Sequence, residues 1–336
     1  MKKLIQTLDK FWFTEAPATR LATLRIIIGA YALIYLAPRY GMFLEIAQTS
    51  PTLFEPVGII SLLLAPLPVA VYQALVILTL AANVAFFLGW RHRITGTAFA
   101  FLLLFVLSYR NSWTMIFHSD NVLIWHVLIL GLTRAADAFS LDAWRKSRQL
   151  SNGDASLDSP VHWRYGWAIN LMCAVTVTTY FLAGVAKLAG PDGLNWMTGE
   201  VMRSQLAVDN LRKELLTGEA PATFGWIYNN LFLFVMMGVG TFVMELGAPL
   251  ALANKWLGRL WSISAFIGHW GIFFVMGITF RYQLYGVIFA PFFPVERPVE
   301  WAIQKVRPNS LPSAIPKNQI EPGTVLSEPQ LTNRTR

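Results

Sequence analysis

Long apolar stretches separated by short polar connections run through most of the chain. The hydrocarbon core of a bilayer is about 30 Å thick, so a helix needs about 20 apolar residues to cross it. Stretches that approach this length lie at 21–39, 68–90, 94–109, 121–133, 166–189, 225–253, 257–280 and 282–296. The fourth and eighth are short, which favours a broken or tilted helix at each. The pattern predicts an all-α fold, a polytopic integral membrane helical bundle of about eight transmembrane helices.

The composition supports a membrane protein. Of the 336 residues, 55% are hydrophobic and 14% are charged, and the mean hydropathy is +0.47, which is too apolar for a soluble chain of this length. The single cysteine, Cys173, lies in an apolar run, so we expect no disulfide framework. The histidines lack the HExxH spacing of a metal ligand set, and we expect no metal site.

The basic residues predict the orientation. With the N-terminus in the cytoplasm, 19 lysines and arginines fall on the inner side and six on the outer side. We therefore expect both termini to be cytoplasmic, in a bacterial inner membrane, which requires an even number of spans. The net charge of +8 is then a topology signal and does not indicate nucleic acid binding.

The chain divides into a membrane domain and a tail. Residues 1–307 carry all the apolar stretches, whereas residues 308–336 are polar and proline-rich and are expected to form a disordered cytoplasmic tail. The outer connection at 190–224 differs from the other connections. Its apolar residues have helical spacing among charges, which predicts an amphipathic helix on the outer membrane surface: Trp196, Val201, Met202, Leu206 and Leu211.

Two ionisable residues fall within predicted spans near the cytoplasmic side. Arg25 lies about one turn into the first span, and Glu245 lies about two turns from the inner end of the sixth. A charge within the bilayer costs about 2.5–3.5 kcal/mol on insertion scales. Opposite charges at a similar depth reduce this cost by pairing, so we expect Arg25 and Glu245 to form a structural ion pair; the alternative is an arginine that snorkels to the headgroups.

A second layer of polar side chains is predicted near the outer side. Lys187 ends the fifth span there, and the fourth span begins after His118. The other members of the layer are Asp120, His126, His269 and Arg281.

Lys187 shares one helical face with small and polar residues. Thr176, Tyr180, Ala183, Gly184 and Lys187 are spaced at i, i+4, i+7, i+8 and i+11. Small residues let another helix or a flat ligand approach the backbone closely. Burial disfavours the charged form of a lysine, and a neutral amine can act as a general base. The alternative is a lysine that snorkels to the outer headgroups from a helix end.

The histidine positions also have structural alternatives. Ser119 or Asp120 fits the N-cap of the fourth span, with His118 as an interfacial residue beside it. His269 fits a hydrogen bond donated to another helix.

The Lys187 segment resembles a known family. The run YFLAGVAKLAGPDGLNWMTGE is similar to the Tyr-Phe-x-Ala-Gly-x-x-Lys-Leu segment, followed by Asp/Asn-Trp-x-x-Gly, of vitamin K-dependent gamma-glutamyl carboxylases and the broader horizontally transferred transmembrane (HTTM) family. Three further stretches agree in order: LATLRIIIGAYALIYL, FHSDNVLIWHVLILGLTRAADAFSLDAWR and MELGAPLALANKWLGRLWSISAFIGHWGIFFVMGITFRYQLYG. The resemblance covers residues 15–300.

The resemblance implies a quinol-dependent carboxylase or oxidoreductase. Lys187 would be the base that deprotonates reduced vitamin K or menaquinol, and His118 would assist at the hydroquinone site. We expect the residues that line this site to be Tyr180, Gly184, His269 and Arg281.

The expected partners are the lipid bilayer, a quinone and a peptide or protein substrate on the outer face. Ala186 precedes Lys187 where the carboxylases have a second lysine, which leaves a different class of function open. This alternative is a non-catalytic HTTM protein that binds a lipid, quinone or peptide in an immunity or accessory role.

Overall fold

The structure is a computed structural model that describes residues 9, 11–149, 160–218 and 227–306, with the side chains of His118 and Ser119 left out. All structural statements below refer to these residues. The predicted tail at 308–336 lies outside them.

Helices account for most of the described chain, and their bounds in chain order are as follows. They are α1 (Ala18–Leu36), α2 (Tyr40–Ala47), α3 (Val69–Leu88), α4 (His92–Asn111), α5 (His118–Leu132), α6 (Leu141–Gln149), α7 (Trp163–Ala189), α8 (Glu200–Thr217), α9 (Leu231–Leu246), α10 (Lys255–Met276), α11 (Arg281–Leu284) and α12 (Glu296–Val306). The strands of the described chain are two residues long, β1 (Ala16–Pro17) and β2 (Val161–His162), and they pair antiparallel. The predicted all-α class is confirmed.

Five segments are long and apolar enough to cross a membrane. They are Ala18–Ala47, Val69–Leu88, His92–Asn111, Trp163–Ala189 and Lys255–Met276. Two further apolar helices are shorter, Asp120–Leu132 and Leu231–Leu246. A multi-pass membrane protein is compatible with these helices, whereas the expected count of eight spans is not confirmed.

The eighth predicted span is broken. Residues 282–296 form the end of the four-residue helix α11 and a 3-10 segment, Val287–Phe292, which contains Pro291. Proline lacks the backbone N–H and clashes with the preceding turn, so it interrupts a regular helix.

The connection after α7 contains the predicted amphipathic helix, α8. Its Leu206 is buried against α9, with Phe234 in the same small apolar cluster, while Val208, Leu211 and Leu215 are exposed. A 3-10 segment, Gly193–Thr198, joins α7 to this helix. The helix is thus confirmed; its position relative to a membrane surface remains a prediction.

Helices α4 and α5 approach each other closely at two glycines. A Cβ atom added to Gly131 would collide with the carbonyl oxygen of Gly96, and one added to Gly96 would lie 3.1 Å from the Gly131 Cα atom. Both obstacles are backbone atoms, so a rotamer change cannot relieve the clash. Small residues at such crossings let helices pack at short separation inside a bilayer.

We expect Gly131→Ala to lower the free energy of unfolding by about 1–3 kcal/mol, because α4 and α5 must move apart. Thermal unfolding in detergent, followed by circular dichroism, measures the change. Gly240→Ala in α9 is the matched control, since nothing lies within 4 Å of a Cβ atom there. Equal losses for the two variants would show that the crossing does not depend on Gly131.

Candidate functional site

The last turn of α7 and the end of α9 are joined by an ion pair. The Lys187 ammonium donates to both carboxylate oxygens of Glu245, at 2.6 Å to Oε1 and 2.7 Å to Oε2. The Lys187 side chain is 24% exposed and that of Glu245 is 9% exposed. Lys187 is therefore directed into the protein and held by an acidic partner.

Gly184 allows this contact to form. It lies one turn before Lys187 on α7, and a Cβ atom there would lie 2.9 Å from Glu245 Cβ and 3.0 Å from Leu246 Cδ2. The sequence predicts that another helix or a flat ligand approaches the backbone closely at Gly184. In the structure, helix α9 lies there.

The predicted pairing of Arg25 with Glu245 is wrong. Glu245 pairs with Lys187, and Arg25 donates through Nη2 to the carbonyl oxygen of Phe139 and lies near Asp142. Arg25 is fully buried, at 0% exposure, at the connection between α5 and α6. Its Nε and Nη1 atoms have no hydrogen-bond partner within the described chain.

The contact between Lys187 and Glu245 also corrects the predicted depths. The sequence places Lys187 in the outer layer and Glu245 near the cytoplasmic side, but atoms 2.6 Å apart lie at one depth. At least one of the two assignments is therefore wrong. The sixth predicted span is not one continuous helix, since α9 ends at Leu246 and a 3-10 segment, Ala248–Leu252, follows.

Trp196 covers the ion pair. The Lys187 Nζ atom lies 5.6 Å from the centre of the Trp196 ring, which is within the range of a cation–π contact. Trp196 belongs to the 3-10 segment after α7, and its carbonyl group packs directly on Gly238 of α9. The connection between α7 and α8 therefore forms one wall of the site.

Tyr180 lies two turns before Lys187 on α7 and is buried, at 7% exposure. Its ring packs edge-to-face on Trp261 at 5.0 Å and on His269 at 5.7 Å between centroids. Its hydroxyl has no hydrogen-bond partner in the described part of the chain, although it is close enough to Glu245 for an electrostatic interaction with that carboxylate. A buried hydroxyl without a partner is uncommon and requires an explanation.

Of the remaining predicted site residues, His269 lies beside Tyr180, whereas Arg281 and His118 are not shown to reach it. His269 is buried, and its Nδ1 atom is 2.8 Å from the carbonyl oxygen of Ala265 in its own helix. Arg281 is exposed at the start of α11 and lies near Tyr31. The backbone of His118 begins α5, and its side chain lies outside the described atoms, so its proposed partnership with Lys187 stays a prediction.

A buried polar centre lies around His126. Its Nδ1 atom is 2.8 Å from the hydroxyl of Tyr282, and its Nε2 atom is 3.1 Å from Oγ1 of Thr176. His126 is fully buried. The Tyr282 ring packs on Tyr31 at 4.9 Å. These contacts connect α5 and α7 with the broken eighth segment, and no spacing along the chain indicates them.

A buried ion pair joins the ends of α4 and α5. Arg110 Nη2 lies 2.6 Å from Asp120 Oδ2, which also accepts from the hydroxyl of Tyr35 at 3.0 Å. Arg110 lies one residue beyond the predicted third span at 94–109, but α4 continues through Asn111 and buries Arg110. The prediction that Ser119 or Asp120 is the N-cap of the fourth span is wrong, since the N-cap of α5 is Phe117.

No protein family, curated protein or solved structure matches the chain. The apolar helices are compatible with a multi-pass, membrane-embedded protein. The resemblance to carboxylase-like membrane proteins therefore rests on the quoted sequence segments alone.

Proposed function

We propose that this multi-pass membrane protein binds a hydroquinone of the vitamin K or menaquinol type beside the Lys187–Glu245 pair and takes up its hydroxyl proton. The observation that carries the proposal is a shielded lysine–carboxylate pair beside a buried tyrosine hydroxyl that has no partner within the described chain. The sequence resemblance supplies the class of ligand.

The residues around the pair fit such a ligand. A hydroquinone has a flat apolar ring with hydroxyl groups at its edge, so it requires aromatic surfaces and a few polar partners. The rings of Trp196, Trp261 and Tyr180 supply aromatic surface close to the pair. The Tyr180 hydroxyl supplies a hydrogen-bonding group that the described protein does not use.

The pairing favours Glu245 over Lys187 as the group that takes the proton. An ammonium has no lone pair to accept one, whereas the Glu245 carboxylate that holds it does. In this proposal Glu245 accepts the proton and Lys187 remains beside the ligand oxygen, where its positive charge stabilises a developing negative charge. When bound, a hydroquinone would supply the reducing equivalents for carboxylase-type or epoxidase-type chemistry.

A binding experiment tests the ligand class. We expect purified protein in lipid nanodiscs to bind menaquinol, and Tyr180→Phe to weaken binding about twofold to tenfold, the value of one hydrogen bond. Quenching of tryptophan fluorescence under anaerobic conditions measures the affinity. The control is Tyr285→Phe, since Tyr285 is 71% exposed. A wild-type protein that does not bind menaquinol would refute the proposal, and equal affinity of the Tyr180 variant would remove Tyr180 from the site.

One observation favours the non-catalytic alternative. Both carboxylate oxygens of Glu245 are engaged by Lys187, which also suits a pair that only fastens α7 to α9. In that case the protein would bind a lipid, quinone or peptide without transforming it. Lys187→Ala would then retain binding of that ligand, because α7 and α9 still pack at Gly184. Gly184→Leu, which forces α9 away from α7, would abolish binding.

A further inference from the structure

We propose a second ligand site, at the opposite end of α7 from Lys187, which binds an anionic phospholipid of the surrounding membrane. A cavity of about 450 Å³ lies where the end of α5 meets α6 and the start of α7. Its lining includes three permanent cations, Arg134, Lys146 and Arg164. The sequence predicts that this side of the bundle is cytoplasmic.

The carboxylates in the cavity already have partners. Asp142 accepts from the backbone N–H groups of Arg91 and His92, both at 2.8 Å. Asp137 accepts from the hydroxyl of Tyr165 at 2.8 Å.

The cations of the cavity have weaker or fewer carboxylate partners. Arg134 is half exposed and lies 4.0 Å from Asp137, which makes their pairing weak. Within the part of the chain that the structure describes, no carboxylate oxygen lies within 4.0 Å of Lys146 or Arg164. The cavity therefore presents positive charge suited to an anion.

An apolar groove of about 180 Å³ lies beside the cavity, between α5 and α7. Leu132 and Thr133 in its lining directly precede Arg134, and Trp167 lies one turn after Arg164. The groove therefore follows the same two helices away from the charged end. Its other lining residues are Trp125, Leu128, Ile129, Leu171 and Val175.

The combination of a charged cavity and an apolar groove favours a phospholipid over a soluble anion as the ligand. A soluble anion could use the charged cavity but has no part that matches an apolar groove. An anionic phospholipid has a head group of net negative charge for the cations and an acyl chain for the groove, in the order in which the protein presents them. In phosphatidylcholine the choline offsets the charge of the phosphate. Basic pockets at the ends of transmembrane helices bind lipid head groups in this way.

The test compares two lipids on delipidated, detergent-solubilised protein. We expect native mass spectrometry to show tighter binding of phosphatidylglycerol than of phosphatidylcholine. The double variant Arg134→Gln/Arg164→Gln should lose about 25-fold in affinity for phosphatidylglycerol, about fivefold for each charge, with little change for phosphatidylcholine.

The matched control removes two charges outside the cavity. Arg93→Gln/Lys255→Gln lies on the same predicted face, and neither residue lines the cavity. Thermal unfolding of each variant checks that the fold is intact. An equal loss in the control variant would overturn the site, as would an unchanged lipid preference in the cavity variant.

Two further measurements separate a lipid from a free anion. Leu171→Ser in the groove should weaken binding of both lipids and leave the preference between them unchanged. Inorganic phosphate at millimolar concentration should not displace phosphatidylglycerol; displacement would identify a soluble-anion site and overturn the proposal. These outcomes do not depend on menaquinol binding, so the two proposals can fail separately.

Discussion

Asp120→Ala should lower the free energy of unfolding by about 3–5 kcal/mol, because it leaves the buried guanidinium of Arg110 without its charged partner. The two side chains are only 4% and 6% exposed, so water cannot solvate the remaining charge. The hydroxyl of Tyr35 would also lose its acceptor on Asp120. Thermal unfolding in detergent and the yield of folded protein from membranes both measure the effect.

Two controls separate pairing from a general effect of mutation. Arg110→Met combined with Asp120→Leu removes both charges and should recover most of the loss, since buried pairs can be replaced by apolar residues of similar size. Glu200→Ala breaks a surface contact, 3.9 Å from Arg203, and should change stability by about 0–1 kcal/mol. A double variant as unstable as Asp120→Ala would show that the charges are not the cause.

The Arg110–Asp120 pair shows what a single sequence could not predict. Both residues are visible as charges at the ends of apolar stretches, and the prediction that these stretches are helices is confirmed. The identity of the partner depends on how α1, α4 and α5 meet, since Tyr35 comes from a helix 85 residues away from Asp120. Such contacts leave no periodic signal along the chain.

The Lys187 face was predictable because its geometry is local. Helical spacing predicts that Tyr180, Gly184 and Lys187 share one side of α7, and all three lie close to Glu245 in the structure. The acidic partner was not predictable, because the depth of Glu245 follows from the sequence only if residues 225–253 form one continuous helix. The break after Leu246 invalidates that count.

The same limit explains the error at Arg25. Its position near one end of α1 is evident from the sequence, but the carbonyl of Phe139 comes from the connection after α5 and the nearby Asp142 from the first turn of α6. Phe139 has a positive φ of 45°, a conformation that residues other than glycine adopt rarely. Apolar patterning carries no information about such a turn.

Lys187→Met is expected to reduce oxidation of bound menaquinol by about 10²–10³-fold, the usual cost of removing a group that stabilises a developing negative charge. Glu245→Gln should have a loss of similar size, because it removes the proton acceptor and leaves the lysine ammonium without its partner. The rate of menaquinol consumption under O₂, with mass spectrometry of the product for an epoxide, measures both. The control is Lys213→Met, which disrupts a lysine–aspartate contact within α8, 2.6 Å from Asp209.

The comparison of these two variants decides how the pair acts. A lysine that works alone as the base would be freed by Glu245→Gln, and the rate would be retained or raised. A pair that works as a unit would lose activity from either substitution, and the double variant would be no slower than each single one. If Lys187→Met and Glu245→Gln both consume menaquinol as fast as the wild-type protein, neither group takes the proton, and the pair serves only to hold α7 against α9.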